Sequence, residues 1–341
     1  MGRDNSEVAR FQFLIPTLNN VDTIDDTIQS IYNQDYDMEN IFIHVMDFGS
    51  TDGTFEKLQE YSSYHIGIYQ DRSTKNKRLM LGRLAEILLR VRPGGHYCFS
   101  NVLYPGDIAY PEYCKTVSKA MIDNKKYKPA FLICEADVMD EDGNIILQPP
   151  LFENDCIING YTQMKDFVCR GYRHQVQCIK ETFMYLQYRE NGEYNESRWW
   201  NKCARRALEE LIVYVHKPLI LERFVAYEDE LEEILLRWES LICQVRVYES
   251  KFGHGFDDEF VVSGCKNLAE YSIWRSLLLL DKDKKASEDC LLISRVIDPG
   301  IKDTVIYRDM EKLLNADGYE DVMAGDFIRG ELEGYFEIHG G

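Results

Sequence analysis

The chain has 341 residues, of which 28 % are charged and 45 % apolar, a globular balance that excludes a disordered or fibrous protein. Lys and Arg number 39 against 58 Asp and Glu, for a formal charge of −19. So acidic a chain repels nucleic-acid phosphates and anionic lipid, and no nucleic-acid partner is expected.

The ten cysteines are scattered, with no C-x-x-C pair, so a zinc ribbon or thioredoxin-type site is not indicated. Cysteines set among apolar neighbours, such as Cys98 and Cys134, read as small buried hydrophobes of a reducing compartment. The first residues, MGRDNSEVARFQF, hold no apolar h-region of a signal peptide. The apolar run SLLLL at 276–280 is far too short to span a bilayer. A cytoplasmic protein without an integral membrane segment is the expectation.

Residues 11–16 (FQFLIP) predict a strand stopped by Pro16, and Ile24, Ile28 and Ile31 then recur at helical spacing. Residues 41–47 (IFIHVMD) predict a second strand. Asp52-Gly53-Thr54 opens a helix with Phe55, Leu58 and Tyr61 on one face, and Ser50 or Thr51 suits its N-cap. Residues 65–70 predict a third strand, 78–91 an apolar helix stopped by Pro93-Gly94-Gly95, and 96–101 a fourth strand. Pro111 suits the first position of a helix over 111–124. Asp142-Gly143 marks a hairpin between 131–139 and 144–148.

This alternation predicts an α/β protein with a mostly parallel sheet flanked by helices. Ligands of such sheets bind beyond the carboxyl ends of the strands, which points to residues 16–20, 47–54, 70–78 and 100–107. The pattern is irregular and aromatic-rich from 150 to 225 and helical from Ala226 onward. The expected division is a sheet domain over 1–225 and a helical C-terminal subdomain over 226–341.

The second strand ends in Asp47-Phe48-Gly49-Ser50-Thr51-Asp52-Gly53-Thr54. Alone, this reads as a capped turn in which Asp47 and Asp52 serve the backbone. It stands, however, in order with Ile15-Pro16-Thr17-Leu18-Asn19 and with Ser30-Ile31-Tyr32-Asn33-Gln34. The three blocks together closely resemble the opening of the family 2 glycosyltransferases, which have the GT-A fold. The resemblance is strong over 11–62, thins toward 225 and is absent beyond.

That resemblance implies an inverting enzyme that moves a sugar from a nucleotide sugar, UDP in most cases, to an acceptor hydroxyl. It places Asp47 against the base and Thr17 against the nucleoside, in the loop that also holds Pro16 and Asn19. A basic residue after the third strand would help hold the nucleotide, with Arg78 first and Lys75 and Lys77 as rivals. The family's D-x-D run falls on Tyr104 and Gly106, and of its acids only the following Asp107 survives. Asp107 would share a divalent Mn or Mg with the donor's diphosphate, weakly for want of the other acids. Asp137 and Asp140 fall on the hairpin after this half and read as structural.

The acceptor proton needs a carboxylate base. Glu196 stands in the family's place for it, with Glu193 as neighbour, although the expected Glu-Asp pair here reads Asn195-Glu196. Trp199 and Trp200 suit either a stacking wall for a sugar or core packing. His174 reads as structural, and the segment from Glu228-Asp229 to Arg237-Trp238 as an ordinary amphipathic helix. The acceptor is left open among a growing glycan, a lipid-linked sugar and a protein side chain. The altered acidic motifs also fit a different class, a non-catalytic GT-A-like protein that binds a nucleotide or glycan or scaffolds a partner. A nucleotidyltransferase would want a glycine-rich basic loop where IPTLNN stands. The apolar faces of the helical tail leave a homodimer open.

Overall fold

The computed structural model describes residues 8–61, 65–73, 98–129, 131–139, 143–146, 150, 152–159, 176–180, 211–223, 258–315 and 328–334, with scattered residues between 234 and 253. The chain divides into two compact units, Met1–Gly160 with Gln175–Val225, and Tyr161–His174 with Ala226–Gly341.

The first unit is built on one sheet. Its leading strands are β1 (Arg10–Thr17), β2 (Ile41–Asp47), β3 (Ile66–Gln70) and β4 (Cys98–Val102). All pair in parallel, in the order β3-β2-β1-β4. Every residue of β1 from Phe11 to Thr17 is buried, as expected of a central parallel strand covered on both faces. The register sets Thr17 opposite Asp47 and Asp47 opposite Gln70, so three polar side chains meet at the carboxyl ends.

Helix α1 (Ile24–Tyr32) buries Ile24, Ile28 and Ile31 against Phe11, Phe13, Ile15, Ile43 and Val45. Each such side chain contributes about 1.5–3 kcal/mol on burial. Helix α2 is short, Thr54–Leu58, and its N-cap is Gly53 at φ +99°. Ser50 and Thr51 therefore do not cap it; they serve the loop contacts described below. Helix α3 spans Tyr113–Asp123, two residues later than Pro111 suggested. Pro111 lies outside the helix because its carbonyl accepts the Asp35 N–H at 2.6 Å. The expected helix over 78–91 lies outside the described residues.

The far side of the sheet is assembled from distant segments. A two-residue strand, β5 (Ile108–Ala109), precedes α3, and β6 (Phe131–Met139) follows it. Next come β7 (Ile145–Ile146), β8 (Cys156–Asn159), β9 (Val176–Lys180) and β10 (Leu211–Arg223). β7 folds back on β6 as the hairpin signal at Gly143 required. β9 lies antiparallel between β4 and β6. β10 runs parallel to β6 and carries Pro218 at a register shift between Val215 and Ile220. That bulge is where a strand interior tolerates a residue without an N–H. β10 ends at Arg223, on the same side as the ends of β1, β2 and β4.

The second unit is helical, with α4 (Asp258–Leu279), α5 (Lys284–Ile297) and α6 (Val305–Leu314). Asp283 caps α5 by accepting the Ala286 N–H at 3.0 Å. Thr304 caps α6 by accepting the Tyr307 N–H at 3.3 Å. Buried serines join α4 to α5: Ser272 donates to the Cys290 carbonyl and Ser276 to that of Ser287, each at 2.7 Å. This unit has its own core, including Leu268, Ile273, Leu291 and Met310. Arg237 is buried with its guanidinium 5.0 Å from the Tyr271 ring, an aliphatic and cation–π packing role. Among the described residues no helix is long and apolar enough to cross a membrane.

Candidate functional site

The loops that leave β1 and β2 are tied to each other. Asn19 stands at φ +57° and donates its N–H to Ser50 Oγ at 2.8 Å. Its side-chain Oδ1 accepts the Thr51 N–H at 2.9 Å. Asn20 donates its N–H to Thr54 Oγ1 at 2.8 Å, and Val21 donates to Asp52 Oδ2 at 3.0 Å. Asp52 Oδ1 in turn accepts from the Thr54 N–H at 3.0 Å and its hydroxyl at 2.6 Å. Within the first loop, Thr17 Oγ1 and the Leu18 N–H both donate to Asn20 Oδ1 at 3.0 Å. The conspicuous motif residues thus build one rigid rim beyond the sheet.

Asp47 sits at the base of that rim, fully buried. Its Oδ2 accepts from the Gly49 N–H at 3.1 Å and from Gln70 Nε2 at 3.1 Å. Its Oδ1 accepts from the Ser50 N–H at 3.2 Å. The carboxylate therefore braces the turn through Gly49, which stands at φ +91°. Pro16 and Thr17 are buried at the end of β1, and the Thr17 carbonyl accepts the Phe48 N–H at 2.9 Å. Arg72 is exposed beside this turn, its stem close enough that a Cβ on Gly49 would lie 3.5 Å from Arg72 Cγ. Gln70 and Arg72 fall in the segment that the sheet rule singled out, but no motif marked either. Arg78, Lys75 and Lys77 lie outside the described residues, as do Glu193, Glu196, Trp199, Trp200, His174, Asp140 and Glu228-Asp229.

The loop after β4 is held by α1. Thr27 Oγ1 accepts the Gly106 N–H at 2.8 Å and donates to the Tyr104 carbonyl at 3.3 Å. Ser30 Oγ accepts the Ala109 N–H at 3.1 Å. Gln34 Nε2 donates to the carbonyls of Ala109 and Tyr110 at 3.2 and 2.9 Å, and its Oε1 accepts the Cys114 N–H at 3.0 Å. Ser30 and Gln34 of the second motif are therefore loop anchors. Asp137 accepts the Tyr110 hydroxyl at 2.6 Å, the structural use expected of it.

Asp107 is buried in this loop, and its carboxylate is taken up by backbone N–H groups of the loop and of β10. Oδ2 accepts the Tyr104 N–H at 2.9 Å and Oδ1 the Arg223 N–H at 3.3 Å. Burial raises its pKa to about 7, against the pull of those two N–H groups and of the Arg223 charge. A divalent cation wants several charged oxygens turned toward it. Here Tyr104 presents a half-exposed ring and Gly106 no side chain at all. Among the described residues no group of three or more His, Cys, Asp and Glu side chains comes together to hold a metal. The described residues of this loop thus do not fit a metal centre.

This architecture has counterparts of known structure. Residues 1–349 of TarS from S. aureus superpose with a TM-score of 0.51 at 13 % identity, over 86 % of this chain and 91 % of that one. The same TarS fragment in complex with UDP-GlcNAc gives 0.51 over 86 % and 92 %. Its complex with UDP gives 0.50 over 86 % and 91 %. The chain has a GT-A-like glycosyltransferase fold. The model of the family "Glycosyl transferase family 2" matches residues 13–87, the stretch from β1 through the rim just described, and so relates this GT-A-like chain to that family. No curated protein matches the sequence.

Proposed function

We propose that this protein is an inverting glycosyltransferase that takes its sugar from a UDP-sugar and delivers it to an acceptor hydroxyl. The carrying observation is the joined pair of loops at the ends of β1 and β2, in a fold shared with a protein solved with UDP-GlcNAc and with UDP. The nucleoside would lie on that rim, with Thr17, Asn19 and Asp47 beneath it. Asp47, already braced by three donors, would offer its remaining lone pairs to a uracil N–H. Arg72 or Arg78 would meet the nucleotide from the end of β3. Glu196 would take the acceptor proton as the acceptor oxygen bonds to the anomeric carbon, while the bond from that carbon to the diphosphate oxygen breaks on the opposite face and UDP leaves. No step is assigned to a metal. The acceptor is a glycan, a lipid-linked sugar or a protein side chain.

The second reading is a binding protein without turnover, favoured by Tyr104 and Gly106 at the acidic positions and by the inward turn of Asp107. A panel of nucleotide sugars separates the two. Thermal shift reports binding, because a ligand of the native state raises the melting point, and released UDP reports turnover. An enzyme shows both with one donor and loses turnover in Glu196→Gln. A stabilising donor that is never consumed shows the binding protein.

A further inference from the structure

Gly106 and Arg223 occupy one space. Gly106 stands where the second acid of the D-x-D run would fall and adopts φ +106°. A Cβ added there would meet Arg223 Cδ at 3.1 Å, Cβ at 3.4 Å and Nε at 3.5 Å. The arginine side chain thus runs across the position that an aspartate side chain would need. Its guanidinium reaches Asp26 in the first turn of α1, Nη2 to Oδ2 at 3.2 Å, and that pair is half open to solvent. Its Nε is buried and has no hydrogen-bond partner among the described residues. The backbone of the same residue holds Asp107.

We propose that Arg223 is the diphosphate-binding cation of this protein, standing in the place where the family's acids would hold a metal. This rests on the reading of the protein as a UDP-sugar binder. A leaving diphosphate needs positive charge beside it, and a guanidinium supplies it directly with donors matched to phosphate oxygens. In a chain of charge −19 that charge must be local. Asp26 is the exposed counter-ion that a diphosphate would displace. The arrangement accounts for the departure at Gly106: a side chain there would press on the arginine, and with the arginine present an acid at 106 is not needed.

Calorimetric titration of the full chain with UDP and with uridine, each with Mn²⁺ and with EDTA, tests this. UDP is expected to bind with the same affinity in EDTA to within about twofold. Arg223→Gln is expected to weaken UDP by about 10- to 100-fold, the scale of lost charge-assisted hydrogen bonds, and to leave uridine unchanged. Asp26→Asn leaves β10 intact and serves if the arginine variant does not fold. It is expected to tighten UDP roughly threefold, the scale of an exposed ion pair. Loss of UDP binding in EDTA, or equal UDP affinity in wild type and Arg223→Gln, or no gain in Asp26→Asn, overturns the proposal while nucleotide binding stands. A wild-type chain that binds neither UDP nor uridine overturns the parent reading and this one with it.

Discussion

Asn19 Oδ1 accepts twice from Thr51, from its N–H at 2.9 Å and from its hydroxyl at 3.5 Å, and this link ties the loop after β1 to the loop after β2. Asn19 holds a left-handed backbone, φ +57°, which Asn and Gly tolerate better than other residues. Asn19→Gly keeps the backbone and loses the acceptor, at about 1 kcal/mol. Asn19→Ala loses both and falls about 1 kcal/mol further. Urea unfolding of the two variants checks the order, and equal midpoints would contradict the clamp.

Asp47 carries two duties in this account, bracing the turn and facing a base. Asp47→Asn keeps one acceptor oxygen and sets an N–H₂ against donors that now find no partner. It is expected to lose about 1–3 kcal/mol of stability and at least tenfold in uridine affinity. Gln70→Leu removes one of the three donors and is expected to cost less than half as much stability. Uridine titration at a temperature where both variants are folded separates the duties. Wild-type affinity in Asp47→Asn would leave only the brace.

Gln34 is 7 % exposed and joins α1 to the carbonyls of Ala109 and Tyr110 and to the Cys114 N–H. Gln34→Ala strands those buried groups and is expected to cost about 2–4 kcal/mol, since several partners lose their bonds at once. Thermal unfolding measures it. A loss under about 0.5 kcal/mol, the ordinary surface range, would show that the loop after β4 is held by other means.

His44 makes stability depend on pH. It is 3 % exposed in β2, and neither ring nitrogen has a hydrogen-bond partner among the described residues. Burial lowers its pKa to about 4, against about 6.5 in an unfolded chain. The unfolded chain binds the extra proton between those values, so stability falls as pH drops through the window. From pH 7 to pH 5 this imidazole costs roughly 2 kcal/mol. Asp107 tilts the other way: with its folded pKa raised to about 7, its contribution is lost as pH rises from about 4 to 7. His44→Leu is therefore expected to be more stable at pH 5 than at pH 7, and Asp107→Asn to lose more on acidification than wild type. Urea midpoints at the two pH values check both, and unchanged slopes would contradict the assignments.

The sheet half was legible because β1, β2 and α1 write their burial into local periodicity, and the turn acids into a recognisable order. What local pattern could not show was the use of each polar group. Ser50 and Thr51 looked like caps, yet the cap fell to Gly53, because Asn19 reached across from another loop to take them. Pro111 looked like a helix start, but its carbonyl was committed to Asp35. The pairing of β4 with β9 and of β10 with β6 joins distant segments and leaves no local trace. Arg223 was invisible for the same reason: its relation to Gly106 exists only once β10 is laid beside the loop after β4.

The most direct measurement is hydrogen–deuterium exchange of the full chain with and without saturating UDP. The amides of Asn19 and Thr51 already donate to side chains of the opposite loop, and a nucleotide seated on that rim slows their opening further. The account predicts added protection in peptides covering 17–21 and 47–54, together with the loop over 103–107. Protection confined to other segments, or none at saturation, would contradict it.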